Sequence, residues 1–218
     1  SARGVMARFY NTYTNGADHL FYYHGNVLSN DQATSLWVKH APLFDRRAKP
    51  VTEVAVFYPD TANKLGDDVL RYRLASAYFE RVQALRRVTD YDYASEQMIL
   101  DGALDRYKAL VFLWGAVTEK AVLERIDRWV QSGGVIIYPE KQQQREGLVG
   151  TVEGEKQIAQ AWQEGRAGKG KFILYTGYAE PSQHYIDFVG DTLRTLPQLS
   201  AGFRRALRIQ RGRDVFWS

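Results

Sequence analysis

The 218-residue chain contains no cysteine. That excludes disulfides, thiolate metal sites and a cysteine nucleophile, and it leaves the compartment open, with the cytoplasm favoured. Long apolar runs are missing too. The longest, Ala109–Val117, is nine residues and is interrupted by Gly115, against the roughly 20 a membrane-spanning helix needs. No leader pattern is visible, because Arg3 and Arg8 are followed by no apolar stretch. The chain starts at Ser1, the expectation for a processed or excised piece, although removal of an initiator would look the same. Charge of one sign is also lacking: 29 basic residues face 25 acidic ones, a net of +4. A solvated mixed-charge surface accounts for that balance better than nucleic-acid binding does. The first 49 residues hold no glutamate; their only acids are Asp18, Asp31 and Asp45.

What the chain does have is an apolar supply of 45% hydrophobic residues, enough for a real core, and 14 Tyr with 5 Trp. Aromatic richness of this kind suits both carbohydrate stacking and an ordinary core. The clearest pattern lies at residues 103–140. Ala109–Trp114 is apolar without alternation, as in a strand buried on both faces. Thr118 is placed to cap a helix whose face carries Val122, Ile126, Trp129 and Val130. Gly133-Gly134 stops that helix, and Val135–Tyr138 forms a second buried strand ended by Pro139. Two buried strands joined by one amphipathic helix make a parallel βαβ unit.

On either side the pattern alternates. Residues 3–15 read as helix, Asp18–His24 as a lone strand, and a helix from Asn30 or Asp31 carries Ala33, Leu36, Trp37 and His40 on one face before Pro42. A lone strand must pair with strands elsewhere. Asp45-Arg-Arg-Ala-Lys-Pro50 is a charged connector and the natural boundary. Val54–Tyr58 is then a strand, 65–87 a helix striped by Leu70, Leu74, Ala77, Tyr78, Val82 and Leu85, Val88–Tyr91 a strand, and Ser95–Leu100 a short helix. After Glu140 come a modest helix at Glu155–Trp162, a strand at Lys171–Thr176 and a helix at Pro181–Leu196. The chain ends with β segments at Ala206–Ile209 and Val215–Trp217. Alternating strands and helices over 50–197 imply a doubly wound α/β domain, flavodoxin-like or amidotransferase-like.

Several stretches resemble the C-terminal part of the β-galactosidases of glycoside hydrolase family 42. They are TEVAVFYPDTAN at 52–63, YKALVFLWGAVTEKAVLERIDRWVQSGGVIIYPE at 107–140, and GKGKFILYTG at 168–177. In that family such a segment is a trimerisation domain with a class I glutamine-amidotransferase-like fold. ARGVMARFYNTYTNGADHLFYYHGNVL at 2–28 resembles a helix and the eighth strand of the family's catalytic (β/α)8 barrel, and Gln32–Phe44 its last helix. RDVFWS resembles the start of a small C-terminal β-domain. The resemblance implies three parts: a barrel fragment at 1–49, an amidotransferase-like domain at 50–200 and the start of a β-domain at 201–218. It also implies partners, either the rest of a glycoside hydrolase or like subunits in a homo-oligomer such as a trimer.

Retaining glycosidases need two carboxyl groups about 5–5.5 Å apart, and in the family these lie upstream of anything matched here. No catalytic residue is therefore assigned, and no metal site or cofactor is implied. The substrate-contact candidates are Tyr22, Tyr23, His24 and Asn26, at the C-terminal end of the orphan strand, where an aromatic or amide could meet a sugar. Filling of a barrel layer is their ordinary alternative. Amidotransferase chemistry needs a cysteine where this chain has Tyr138-Pro139-Glu140, and Glu140 reads as a strand-end acid. Asp60, Thr61 and Asn63 lie where open α/β sheets bind ligands, although loop polarity alone would put them there.

Gly165-Arg-Ala-Gly168-Lys-Gly170 precedes a strand instead of following one, so it is a turn and not a phosphate loop. His19, His24, His40 and His184 are too scattered for a metal. Arg204, Arg205, Arg208, Arg211 and Arg213 form a solvated or interdomain basic run. The expected role is that of a non-catalytic structural and oligomerisation portion of a carbohydrate-acting enzyme. A stand-alone small-ligand or sugar-binding α/β domain is the alternative. Neither nucleic acid nor membrane is an expected partner.

Overall fold

The computed structural model describes residues 31–40, 42, 52–65, 78–142, 145–146, 148–179 and 182–212. The chain divides into two compact units, residues 1–51 with 216–218, and residues 52–215. In the first unit the described structure is helix α1 (Asp31–His40). It starts with Asp31, an acid favourably placed in the first turn. Leu36, assigned to the apolar face, is exposed together with Val38. The helix read at 3–15 and the strand at Asp18–His24 lie outside the described residues.

The second unit runs β1 (Val54–Tyr58), α2 (Asp60–Leu65), helix α3 (residues 78–86), β2 (Asp92–Ser95), α4 (Glu96–Leu100), a 3-10 turn at Ala103–Arg106 and β3 (Ala109–Val111). It continues with β4 (Val117–Thr118), α5 (Lys120–Gln131), β5 (Val135–Gln142), β6 (Arg145–Glu146), β7 (Gly150–Thr151), α6 (Gln157–Gln163), β8 (Lys171–Tyr178), α7 (Ser182–Thr195) and α8 (Ala201–Gly212). Five strands pair in parallel in the order β2-β1-β3-β5-β8. Val54 stands opposite Ala109, Ala109 opposite Val135, and Val135 opposite Lys171. β6 folds back antiparallel on the end of β5, and β4 pairs with β7 in a separate two-stranded sheet.

Helices cover both faces of this sheet, so its inner strands have no solvent side. Val54–Phe57, Ala109–Val111 and Val135–Tyr138 are all fully buried, which is why they read as unbroken apolar runs. Burying one such aliphatic side chain contributes about 1.5–3 kcal/mol. On one face Val54, Val56, Val111, Val135 and Ile137 meet α3, α7 and α8 through Tyr78, Val82, Leu85, Ile186, Val189, Leu193, Phe203 and Leu207. On the other, Ala55, Phe57, Leu110, Phe112, Ile136 and Tyr138 meet α5 and α6 through Val122, Ile126, Trp129, Val130 and Trp162. Gly133, at a φ of 129°, ends α5 in a backbone conformation that strains any other residue.

Four expectations from the sequence need correction. The second strand is Asp92–Ser95, not Val88–Tyr91. The backbone at Arg87 and Val88 turns back on α3, with Val88 N–H donating to the Leu85 carbonyl (2.9 Å), and pairing begins at Asp92 opposite Ala55. β2 is an edge strand with Asp92 and Tyr93 exposed, so it lacks the apolar run that marks its neighbours. Thr118 does not cap α5; Glu119 holds the cap position, and Thr118 pairs in β4 opposite Thr151.

Pro139 does not end β5, which continues to Gln142. β3 stops pairing at Val111, opposite Ile137, so at Pro139 one side of β5 no longer has that neighbour, and a register shift follows between Pro139 and Lys141. A proline's missing N–H is tolerated in such a place. Finally, Ala206–Ile209 is not β structure but lies within helix α8, whose Phe203 and Leu207 are buried four residues apart. Val215–Trp217 is outside the described residues. So are residues 66–77, which separate α2 from α3 in the span read as one long helix.

Candidate functional site

In an open parallel sheet the carboxyl ends of the strands, where the connections diverge, form the place for a ligand. Here the divergence lies between β1, which is followed by the crossover to β2, and β3, which is followed by the crossover to β5. β1 ends at Tyr58-Pro59. β3 pairs only to Val111, leaving 112–115 as irregular backbone at the mouth of the crevice.

Side chains from both faces of the sheet converge on that backbone. Gly115, at a φ of 112°, packs so closely on Pro59 that a Cβ built there would lie 2.7 Å from the proline Cβ. Below it, Phe57 and Phe112 stack with ring centroids 4.5 Å apart, and Tyr138 tilts against Phe112 at 5.1 Å. The Tyr138 hydroxyl donates to the Gly115 carbonyl (3.2 Å).

From the opposite face come three more donors. The Tyr185 hydroxyl donates to the Phe112 carbonyl at 2.6 Å, Arg81 Nη1 to the Leu113 carbonyl at 2.7 Å, and the Tyr78 hydroxyl to the Phe57 carbonyl at 3.1 Å. The reason is the early end of β3. Buried carbonyls beyond the ladder must still be satisfied, and side chains take over. Burial pushes the Tyr185 and Tyr78 hydroxyls well above the ordinary tyrosine value, so both remain protonated donors.

One strand over, β1 and β2 deliver two acids to each other's helices. The Glu96 carboxylate, 6% exposed, accepts from the Thr61 N–H (3.0 Å) and the Thr61 hydroxyl (2.5 Å). In return Asp60 Oδ2 accepts from the Glu96 N–H (3.2 Å). Each acid thus meets the positive end of the other's helix, α2 or α4, where unpaired N–H groups need acceptors. Ser95 completes the cap of α4 by accepting from the Met98 N–H.

Charged side chains of both signs stand at the start of α5. Lys120 pairs with Glu155 at 3.3 Å, and Glu153 is held below the usual carboxylate range by a hydrogen bond to its own backbone N–H and one to Thr151.

The residues singled out by sequence separate accordingly. Tyr22, Tyr23, His24 and Asn26 lie outside the described residues. Asp60 and Thr61 do reach the carboxyl end of β1, where both are engaged with Glu96. Glu140 sits partly buried within β5, at the register shift between Pro139 and Lys141, and the strand continues past it to Gln142. The Gly165–Gly170 stretch is a turn against the end of α5. The Lys169 N–H donates to the Gln131 carbonyl, and a Cβ on Gly170 would fall 2.2 Å from the Gly134 and Val130 oxygens.

His184 is exposed, and among the described residues no His, Cys, Asp and Glu group could hold a metal ion. No described helix is long and apolar enough to cross a membrane. Of the arginine run, Arg205 is exposed and Arg204 partly buried on α8; Arg213 lies outside the described residues.

Two important residues went unnoticed in the sequence. Arg81 falls between Tyr78 and Val82 on the Tyr78–Val82–Leu85 stripe, a charge in an apolar helix face, and that is its available signal. Glu96 had none, because its partner stands 35 residues away.

No protein-family model matches the chain, and no curated protein sequence matches it either. Among solved structures it is similar to the crystal structure of an apo exo-carrageenase of glycoside hydrolase family 42 from Bacteroides ovatus. Identity is 15%, over 79% of this chain and 21% of that one, with a TM-score of 0.38. The chain spans about a fifth of that enzyme's length. The resemblance to family 42 is distant, and no residue role carries over from it.

Proposed function

We propose that this chain is a non-catalytic structural and assembly portion of a β-galactosidase-like glycoside hydrolase. In this reading residues 50–200 form an amidotransferase-like, trimerisation-type domain, and the partners are like subunits or the remainder of the enzyme. The observation that carries the reading is the close packing at the carboxyl ends of β1 and β3. Pro59, Gly115, Phe112 and Tyr138 meet where a doubly wound domain would hold a ligand.

Two further features agree with it. The order β2-β1-β3-β5-β8 is that of flavodoxin-type sheets. A nucleophile of the amidotransferase kind needs a sharp turn after the strand that follows Gly133-Gly134, and β5 there runs on through Tyr138-Pro139-Glu140. A domain with its strand ends closely packed and its sheet intact is suited to packing against other protein.

Light scattering on the purified chain tests the assembly role, with an expected mass that is a multiple of 25.0 kDa. A monomer across the whole concentration range would overturn assembly with like subunits. In parallel, the chain is expected not to turn over a nitrophenyl β-galactoside or amide. Turnover that Glu140→Gln abolishes would instead establish a working site of its own.

A further inference from the structure

We draw no further inference here: the strongest candidate, the exposed aromatic patch of Phe79 on α3 and Tyr93 on edge strand β2, carries nothing because the structure does not show what covers it.

Discussion

The two faces of the central sheet hold their helices by different means. On the face of α5 and α6 the contacts are chiefly apolar: Trp129, Val130, Ile126 and Trp162 press onto Phe57, Phe112, Ile136 and Tyr138. Trp162 tilts against Phe172 at 5.8 Å, and its indole N–H reaches Asp127 at 2.6 Å. On the face of α3 and α7 an equally apolar core is supplemented by Tyr78, Arg81 and Tyr185, which donate to the Phe57 carbonyl of β1 and to the Leu113 and Phe112 carbonyls just beyond β3. Burial of apolar area is non-directional and tolerates sliding, whereas a buried hydrogen bond fixes position. Both faces therefore adhere through apolar burial. The second also fixes the backbone just beyond β3, through the Phe112 and Leu113 carbonyls.

This contrast can be broken most severely on the apolar face. Trp162→Ala is expected to lower stability by about 3–5 kcal/mol, since it empties an indole-sized volume in a packed core. Denaturant unfolding would read it directly, and a loss under 1 kcal/mol would show that α6 contributes little. Gly115→Ala comes next, because it acts on the backbone just beyond β3. A non-glycine residue at φ 112° is strained by about 1–3 kcal/mol, and the Pro59 contact adds to that. The expected outcome is a destabilised domain with greater amide exchange at Phe112–Gly115; unchanged exchange would mean that this backbone yields without opening.

Removing single hydroxyls sharpens the comparison. Tyr185→Phe keeps the packing and takes the 2.6 Å donor from the Phe112 carbonyl, at an expected cost of about 1–3 kcal/mol. Tyr138→Phe removes the 3.2 Å bond to Gly115, with about 0.5–1.5 kcal/mol expected. Thermal melts of the pair decide it. If the order is reversed, the anchored face is no more position-dependent than the other.

The mildest perturbation is alkali. Burial raises Tyr78, Tyr91 and Tyr185 above their ordinary value of 10.0. Unfolded tyrosines therefore lose their protons first, so the stability these groups contribute is intact below about pH 10 and declines as pH rises through the folded values. Tyr107, lifted to about 12 by burial and its bond to Asp92, belongs to the same window. Phenolate absorbance followed beside circular dichroism should show these tyrosines ionising together with unfolding. Smooth ionisation of all 14 near pH 10 in a folded chain would contradict it.

Legibility followed burial. β1, β3, β5 and α5 stood out because each is enclosed, so composition and period report directly on structure. β2 was misplaced because an edge strand half in water carries Asp92 and Tyr93 instead of a run. β5 was cut short at Pro139 because the rule for proline depends on whether a neighbour is present, and a neighbour is a tertiary fact. The helix at Ala201–Gly212 is legible in Phe203 and Leu207 four apart, whereas Ala206–Ile209 taken alone also suits a strand. The barrel-fragment candidates Tyr22, Tyr23, His24 and Asn26 stay expectations of the sequence.

By itself, then, the sequence determined that this chain builds a parallel α/β sheet without cysteine chemistry, because local period and composition suffice for strands and helices enclosed on all sides. What stands at the carboxyl ends was decided only by tertiary structure. Phe112, Leu113 and Gly115 are brought to Tyr185, Arg81 and Pro59 across 73, 32 and 56 positions of chain. Whether a crevice is open or filled depends on such meetings, and no local pattern records them.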